Sequence, residues 1–233
     1  METLIKDEFI VLKKNLIPDY DLSLTVYFRK QGKENIYIPK GQILKSPYLY
    51  YSEPFSWNKG VFNLRRNKIY IEEIDNYKNL SLEFSKNLKK FYIGYFFLNL
   101  FINYVSFPDE KLFILLKKAL YYLTISKSPE IDKLNFLVKF IMLNGILPDF
   151  RYCQRCGAIL NEKNFYALDK DLISPVCKNC KEKEDKFYLS YRDIILIEKL
   201  KRVKFKELEK IKIEQKRVRK LIQFLNLYMK NAF

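Results

Sequence analysis

The stretch Leu22-Ser23-Leu24-Thr25-Val26-Tyr27-Phe28-Arg29 alternates apolar side chains with more polar ones along its whole length. A period of two is typical of a β-strand that buries one face and leaves the other open to solvent. The pattern continues at Ile36 and Ile38 and returns at 69–71, and an apolar run, Phe9-Ile10-Val11-Leu12, precedes it. The N-terminal third of the chain is therefore predicted to consist of strands.

Turn-forming residues separate these runs and keep each strand short. They occur at Pro18-Asp19, Gly32, Lys40-Gly41 and Gly60. About five short strands joined by such turns predict a small closed barrel, and the oligonucleotide-binding (OB) barrel is the commonest basic form. We assign residues 1–79 to an OB-fold nucleic-acid-binding domain.

From Leu80 onward the apolar residues recur at steps of three and four, which is the period of a helix packed against a core. Residues 80–233 are therefore predicted to form an α-helical domain, and the chain belongs to the α+β class. The predicted helices are 81–104, 109–126, 130–144, 190–202 and 206–230.

One segment, Phe91 to Phe107, has no charged residue and needs a separate interpretation. It is short for a membrane span, and Asn99 and Asn103 lie one helical turn apart within it. We expect a buried core helix and no membrane partner.

The four cysteines of the chain fall into two pairs, Cys153-Gln-Arg-Cys156 and Cys177-Lys-Asn-Cys180. This C-x2-C…C-x2-C spacing is typical of a site in which four thiolates hold one zinc ion. Two disulfides or free buried thiols are the alternatives. The N-terminus does not resemble a signal peptide, so we expect reduced thiols in the cytoplasm. Four thiolates close the coordination shell, which predicts one structural Zn²⁺ in a module at about residues 151–182.

Missing residue types exclude several classes of enzyme. The chain has no histidine, which excludes Ser-His and Cys-His nucleophile pairs and a histidine general base. None of its six glycines forms a G-x-x-x-x-G-K or G-x-G-x-x-G phosphate cradle. We expect a protein that is not an enzyme.

The formal net charge of +16 points to an anionic partner, most simply nucleic acid. A genome rich in codons for Lys, Ile, Asn, Tyr and Phe offers an alternative explanation of the same charge. Part of the charge lies on the last predicted helix, where a solvated face is the usual explanation. Its basic residues include Lys216, Arg217, Arg219 and Lys220.

The order of a basic barrel, a helical body, a four-cysteine knuckle and a closing helix resembles the bacterial recombination mediator family RecO. Phe9-Ile10-Val11-Leu12 and Asp21-Leu22-Ser23-Leu24-Thr25-Val26, followed by Gly32-Lys33, look like the opening strands of the family. Asn144-Gly145-Ile146-Leu147-Pro148 leads into Cys156-Gly157, similar to the family's approach to its first knuckle. The chain departs from the family pattern before the second knuckle, where Ser174-Pro175-Val176 replaces paired glycines.

The resemblance implies a non-catalytic protein located in the cytoplasm with the nucleoid. Such a protein binds single- and double-stranded DNA and anneals complementary strands. With RecR it helps to load RecA on DNA covered by single-strand-binding protein. Barrel cations would contact phosphates and aromatic residues would stack on bases. The candidates in the barrel are Lys13, Lys14, Arg29, Lys30, Lys33, Lys40 and Lys45, with Tyr27 and Tyr37 for stacking. Lys216, Arg217, Arg219 and Lys220 of the last helix are further candidates for contacts with nucleic acid.

Two other functions remain open at this point. One is a basic, zinc-containing RNA-binding or translation-associated module without a role in DNA repair. The other is an interaction scaffold whose charge reflects composition alone. A zinc enzyme is disfavoured, because deaminase-type sites need a catalytic Glu beside a water-bearing metal and usually a histidine ligand.

Overall fold

The computed structural model describes residues 3–66, 68–169, 171, 174–186 and 188–232. Five N-terminal strands form a closed barrel in the order β1-β2-β3-β5-β4. β1 pairs antiparallel with both β2 and β4, while β3 meets β5 in parallel. This is the topology of an OB barrel and confirms the predicted fold class. The strands are β1 (Thr3–Leu16), β2 (Leu22–Phe28), β3 (Gly32–Ile38), β4 (Trp57–Arg65) and β5 (Lys68–Lys78).

The core of the barrel contains three phenylalanines from three different strands. Phe9, Phe28 and Phe62 meet edge to face, with ring centroids 5.1 to 5.3 Å apart. Edge-to-face packing lets the positive edge of each ring contact the negative face of the next. The apolar positions of the alternating pattern, including Leu24 and Ile36, are fully buried around them.

The neighbouring strands of the barrel are not all paired over the same length, and we call each line of strand pairing a seam. β1 is long and pairs with both β2 and β4, and its register with β2 shifts between Val11 and Lys13, as at a β-bulge. β4 carries a second irregularity at Gly60, where an added Cβ would lie 2.0 Å from the carbonyl oxygen of Glu73. Between β3 and β5, by contrast, the described residues give a single registered pair, Ile36 with Ile69.

Three helices follow the barrel: α1 (Ser81–Ser85), α2 (Leu88–Tyr104) and α3 (Glu110–Ile125). Side chains cap two of them, since Asn87 accepts a hydrogen bond from the Lys90 amide and Asp109 from the Leu112 amide. The cap at Asn87 separates α1 from α2, where one continuous helix was predicted. Residues 91–104 of the charge-free segment lie in α2, which fully buries Phe97 and Phe101.

Tyr27 attaches these helices to the barrel. It lies on the outer side of β2, yet it is fully buried, with its ring 5.0 Å from Phe101 and stacked near Phe113. Its hydroxyl donates to the carbonyl of Phe107 at 3.0 Å and accepts from the amide of Asp109 at 2.9 Å. Burial raises the pKa of Tyr27 to about 12, so the hydroxyl stays protonated. Tyr27 was predicted to stack on bases, but its ring presents no face to solvent.

The contacts divide the chain into two compact units after Pro129. The change from strands to helices falls at the predicted boundary between residues 79 and 80. The first unit extends further, because α1, α2 and α3 belong with the barrel.

The second unit combines helices with a small antiparallel ribbon. Phe136 and Phe140 of its first helix stack 5.9 Å apart, and Asn135 donates to the carbonyl of Leu200 at 3.0 Å. The elements are α4 (Pro129–Leu143), β6 (Phe165–Leu168), β7 (Pro175–Cys177), α5 (Tyr191–Arg202) and α6 (Gln215–Ala232).

The prediction of one continuous helix over 206–230 is wrong. A 3-10 helix, Phe205–Lys210, is followed by Ile211 in an extended conformation, with φ −95° and ψ 115°. Phe205 and Leu208 are buried, and the β-branched Ile211 and Ile213 that follow have modest helix propensity. The α-helix proper begins only at Gln215.

Within the described ranges, no helix combines the length and the apolar character needed to cross a membrane.

We expect Tyr27→Phe to lower the free energy of unfolding of the first unit by about 1–3 kcal/mol, because it leaves a buried amide and carbonyl without their partner. Tyr20→Phe is the matched control: Tyr20 is 71% exposed, and its change should stay within about 0.5 kcal/mol. Urea denaturation of both variants provides the measurement. Equal effects of the two substitutions would contradict a docking role for Tyr27.

Candidate metal centre and nucleic-acid interface

The four cysteine sulfurs form one cluster, all within 4.8 Å of one another. The Sγ atoms of Cys156 and Cys177 are 3.7 Å apart, and all four thiols are free. A tetrahedral ion with metal–sulfur bonds of about 2.3 Å places its ligand sulfurs about 3.8 Å apart. The cluster therefore fits a four-thiolate metal site and does not fit two disulfides.

The first knuckle is a tight turn that glycine permits. The Gly157 amide donates to the carbonyl of Cys153 at 2.8 Å, and the Cys153 amide donates to Ala158 at 2.8 Å. Gly157 has φ of 72°, a conformation that other residues adopt at a cost. The Gln154 amide donates to the carbonyl of Pro175 at 3.0 Å, which brings the second knuckle beside the first.

The second knuckle leaves the β6–β7 ribbon and turns through a short 3-10 helix, Lys178–Cys180. Cys177 pairs with Phe165 in the ribbon. Arg155, within the first pair, donates to both carboxylate oxygens of Asp185 at 2.8 Å and to the carbonyl of Cys180. This arginine joins the two knuckles from outside the sulfur cluster.

The environment of the sulfurs favours bound cations. Burial raises the pKa of Cys153, but hydrogen bonds from the amides of Cys177, Cys156 and Arg155 outweigh it and lower the pKa to about 6. Hydrogen bonding to the Cys156 and Cys177 thiols raises the pKa of Cys180 to about 12. The pKa values of Cys153 and Cys180 are thus shifted in opposite directions, and a bound divalent ion would favour the thiolate form of its ligands.

The barrel cations that were candidates for phosphate contacts fall into two groups. Three of them are already engaged. Lys14 pairs with Glu53 at 2.6 Å, Lys33 Nζ donates to the carbonyl of Ile102 at 2.6 Å, and Arg29 bridges Glu8 and Glu110. The others are exposed, and the described residues give none of them an ion pair: Lys13, Lys30, Lys40 and Lys45.

An open surface lies on the outer side of β1, β2 and β3, continuing onto β5. Across it, Lys13 pairs with Thr25, and Thr25 pairs with Asn35. Tyr37 lies further along β3, where its hydroxyl donates to Asp21. We call this surface the strand face and define it by the residues Lys13, Thr25, Asn35, Tyr37, Lys40, Lys68 and Tyr70.

Sequence reasoning missed the β5 part of the strand face. Tyr70 meets Tyr37 edge to face at 5.6 Å, and Lys68 Nζ lies 4.3 Å from the centre of the Tyr37 ring. The alternation around Ile69 indicated that Lys68 and Tyr70 point outward, but it gave no sign that β5 lies beside β3. Neighbouring aromatic rings and cations are the parts of a surface that binds single strands without reading their sequence.

Two of the four candidate cations on the basic face of α6 also have an ion-pair partner. Asp193, which is buried and forms a capping box with the N-cap residue Ser190 of α5, accepts from Arg217 at 2.7 Å and from Lys220 at 3.0 Å. Lys216 and Arg219 remain exposed beside an open groove of about 660 Å³. This face is therefore less cationic than its sequence suggests.

Residues 87–232, more than half of the chain, match the protein family described as "Recombination protein O C terminal". The chain belongs to the RecO family of DNA repair proteins.

Three DNA repair proteins RecO align with the chain over most of their lengths. The DNA repair protein RecO of Caldanaerobacter subterraneus subsp. tengcongensis is 26% identical over 221 residues, covering 90% of the chain and 85% of that protein. The DNA repair protein RecO of Thermoanaerobacter sp. is 30% identical over 190 residues, covering 77% and 72%. The one of Desulforamulus reducens is 26% identical and covers 96% of the chain and 88% of that protein. The RecO resemblance found in the sequence is confirmed.

Glu8 contributes to the stability of this RecO protein in a way that depends on pH. Burial raises its pKa, but hydrogen bonds from Lys117, Arg29 and Trp57 outweigh burial and hold the pKa below the ordinary value of 4.5. A lowered pKa means that ionised Glu8 stabilises the fold above pH 4.5, and that this contribution is lost as the pH falls through the folded-state value.

We expect Glu8→Gln to lower the free energy of unfolding at pH 7 by about 1–3 kcal/mol, since its three donors lose a charged acceptor. The difference from the unmodified protein should shrink as the pH falls below about 4. Chemical denaturation at pH 7 and at acidic pH measures both. Glu72→Gln, which removes the charge of an exposed partner of Arg65, should have a smaller effect than Glu8→Gln, because solvent screens that ion pair. A pH-independent effect of Glu8→Gln would contradict the electrostatic explanation.

Proposed function

We propose that this protein is a non-catalytic recombination mediator that binds single- and double-stranded DNA and anneals complementary strands. With RecR it helps to load RecA onto DNA covered by single-strand-binding protein, and it does so in the cytoplasm, at the nucleoid. Membership of the RecO family is the observation that carries the proposal. The strand face supports it, because an OB barrel offers its outer β2–β3 surface to oligonucleotides.

Binding at the strand face uses charge and stacking together. The ammonium groups of Lys13, Lys40 and Lys68 neutralise backbone phosphates and release their counterions. Tyr37 and Tyr70 offer ring surfaces to bases, and every base has a face that can stack on them. Such contacts position a strand without identifying its sequence.

Annealing follows from the same contacts without an energy source. Two complementary strands repel each other through their phosphates, and a cationic surface lowers that repulsion by replacing mobile counterions with fixed charges. Lys216 and Arg219 on α6 add a second exposed cationic surface in the same chain. We therefore propose that annealing needs no nucleotide hydrolysis.

The metal site has a structural role in this proposal. Cys153, Cys156, Cys177 and Cys180 hold one Zn²⁺, which four thiolates prefer among common divalent ions. A closed shell leaves no position for water or substrate, so the ion stabilises the knuckles and performs no reaction.

We expect one zinc ion per chain, because the sulfur cluster accommodates a single tetrahedral ion. Elemental analysis of the purified protein measures the stoichiometry. Chelation, or Cys177→Ser, should accelerate hydrogen exchange in residues 151–182, where the free energy of metal binding contributes to folding. Exchange in the barrel is the internal control and should not change. Protein that lacks zinc and carries two disulfides would contradict the assignment.

We expect log affinity for single-stranded DNA to fall with log salt at a slope of roughly −3 to −4, if about four to six phosphates are bound at about −0.7 each. The triple variant Lys13→Gln, Lys40→Gln and Lys68→Gln should flatten the slope by about 2 units. The variant Lys216→Gln with Arg219→Gln tests the α6 face in the same assay. A larger effect of the second variant on the slope would indicate that the main DNA-binding surface lies on α6.

Strand annealing tests the proposed function directly. The unmodified protein should anneal complementary oligonucleotides equally well with and without ATP. Strict ATP dependence, or no annealing beside an active control protein, would refute the proposal. Tighter binding to structured RNA than to DNA at one salt concentration would favour the RNA-binding alternative.

A further inference from the structure

A cleft of about 560 Å³ opens between the barrel and α3, away from the strand face. Trp57 on β4 and Lys78 on β5 face each other directly in the sheet and line one side. Lys117 and Tyr121, one turn apart on α3, line the other side. Its volume lies within the range of about 300–1,000 Å³ that is usual for small-molecule sites.

Two of the aromatic rings that line the cleft, Trp57 and Tyr121, carry a lysine over one face. Lys117 Nζ lies 3.6 Å from the centre of the Trp57 ring, and Lys78 Nζ lies 4.3 Å from that of Tyr121. Tyr121 is 41% exposed. Cation–π pairs at exposed sites contribute little stability, so another flat group can displace the ammonium from the ring.

The charge of the cleft favours an anion. Its lining contains four cationic side chains and a single carboxylate, that of Glu8. Glu8 already accepts from Arg29 at 2.7 Å, from Lys117 at 2.9 Å and from the Trp57 indole at 2.6 Å. The described residues give Lys78 and Lys118 no carboxylate partner, so these two ammonium groups are available to a ligand.

We propose that this cleft binds one nucleotide unit of single-stranded DNA. The base stacks on the Tyr121 ring in place of the Lys78 ammonium, within the cleft that Trp57 also lines, and the displaced ammonium contacts the adjoining phosphate. A nucleotide joins a flat aromatic base to an anionic phosphate at short range, which matches the pairing of ring and cation on both sides of the cleft. The inference rests on the proposed binding of DNA and adds a base-holding site outside the strand face.

Trp57 is the only tryptophan of the chain, so its fluorescence reports on the cleft alone. We expect an oligothymidylate to quench it with a saturable curve that coincides with binding measured by anisotropy. An abasic oligonucleotide of the same length carries the same phosphates and should leave the fluorescence nearly unchanged.

Tyr121→Leu should weaken binding of the oligothymidylate by about 5-fold or more, because it removes a stacking surface. Tyr92→Leu is the matched control, since Tyr92 is a 63% exposed tyrosine on α2 outside the cleft lining. Its affinity should match that of the unmodified protein. Circular dichroism confirms that both variants are folded.

Four results would overturn the inference. Equal quenching by the abasic oligonucleotide would make the cleft a site for phosphate only. Normal binding by anisotropy with no quenching and no effect of Tyr121→Leu would refute the cleft site and leave the proposed function intact. Quenching by an acidic peptide and none by DNA would assign the cleft to a protein partner. Absence of DNA binding in every assay would refute both the inference and the proposed function.

Discussion

The buried hydroxyl of Tyr27 is the contact on which the arrangement of the first unit depends. It accepts one hydrogen bond from the segment between α2 and α3 and donates another to it, so the start of α3 is fixed against β2. Gly32 reinforces the same junction, since its φ is 80° and an added Cβ would lie 2.6 Å from the carbonyl oxygen of Ser106. With α3 held there, its Lys117 and Tyr121 face β4 and β5, and the cleft exists because the helix cannot move away.

The docking of these helices covers one part of the outer surface of the barrel and leaves another part open. Outward residues near the β2–β3 turn, such as Tyr27 and Lys33, are used to hold helices. Outward residues at the other end of the same strands, such as Tyr37, remain open. Arg29 and Lys14 are cations that the fold employs as ion-pair partners. The number of cations available to a ligand is therefore smaller than the 43 lysines and arginines of the sequence.

The sequence predicts those features that depend on local spacing. Alternation at 22–29 identified the strand and its inward face, and the two C-x2-C pairs identified the sulfur cluster, because each knuckle is formed by residues close together in the chain. Asn87 shows the limit of the periodic signal: its side chain caps α2 within a segment that looks continuously helical. A period of two also says which side of a strand points outward, but not what covers that side, and for this reason Tyr27 was assigned to solvent.

Features that join distant segments could not be predicted from one sequence. Lys68 and Tyr70 belong with Tyr37 only because β5 closes the barrel against β3, and Trp57 meets Lys117 only because α3 docks on β4. The end of the 3-10 helix at Ile211 likewise depends on the buried positions of Phe205 and Leu208. In each case the deciding interaction lies between residues that no short motif connects.

The single registered pair between β3 and β5 gives the barrel one weak seam. Local opening of a sheet costs least where fewest backbone hydrogen bonds must break, so we expect this seam to open more readily than the other seams of the barrel. Tyr37 and Tyr70 bridge it from the outside, one from each strand. A strand of nucleic acid lying over both rings would bind only the closed form and would shift the opening equilibrium toward it. The amide protons beside Ile36 and Ile69 would then exchange more slowly with solvent as a larger fraction of the protein has nucleic acid bound.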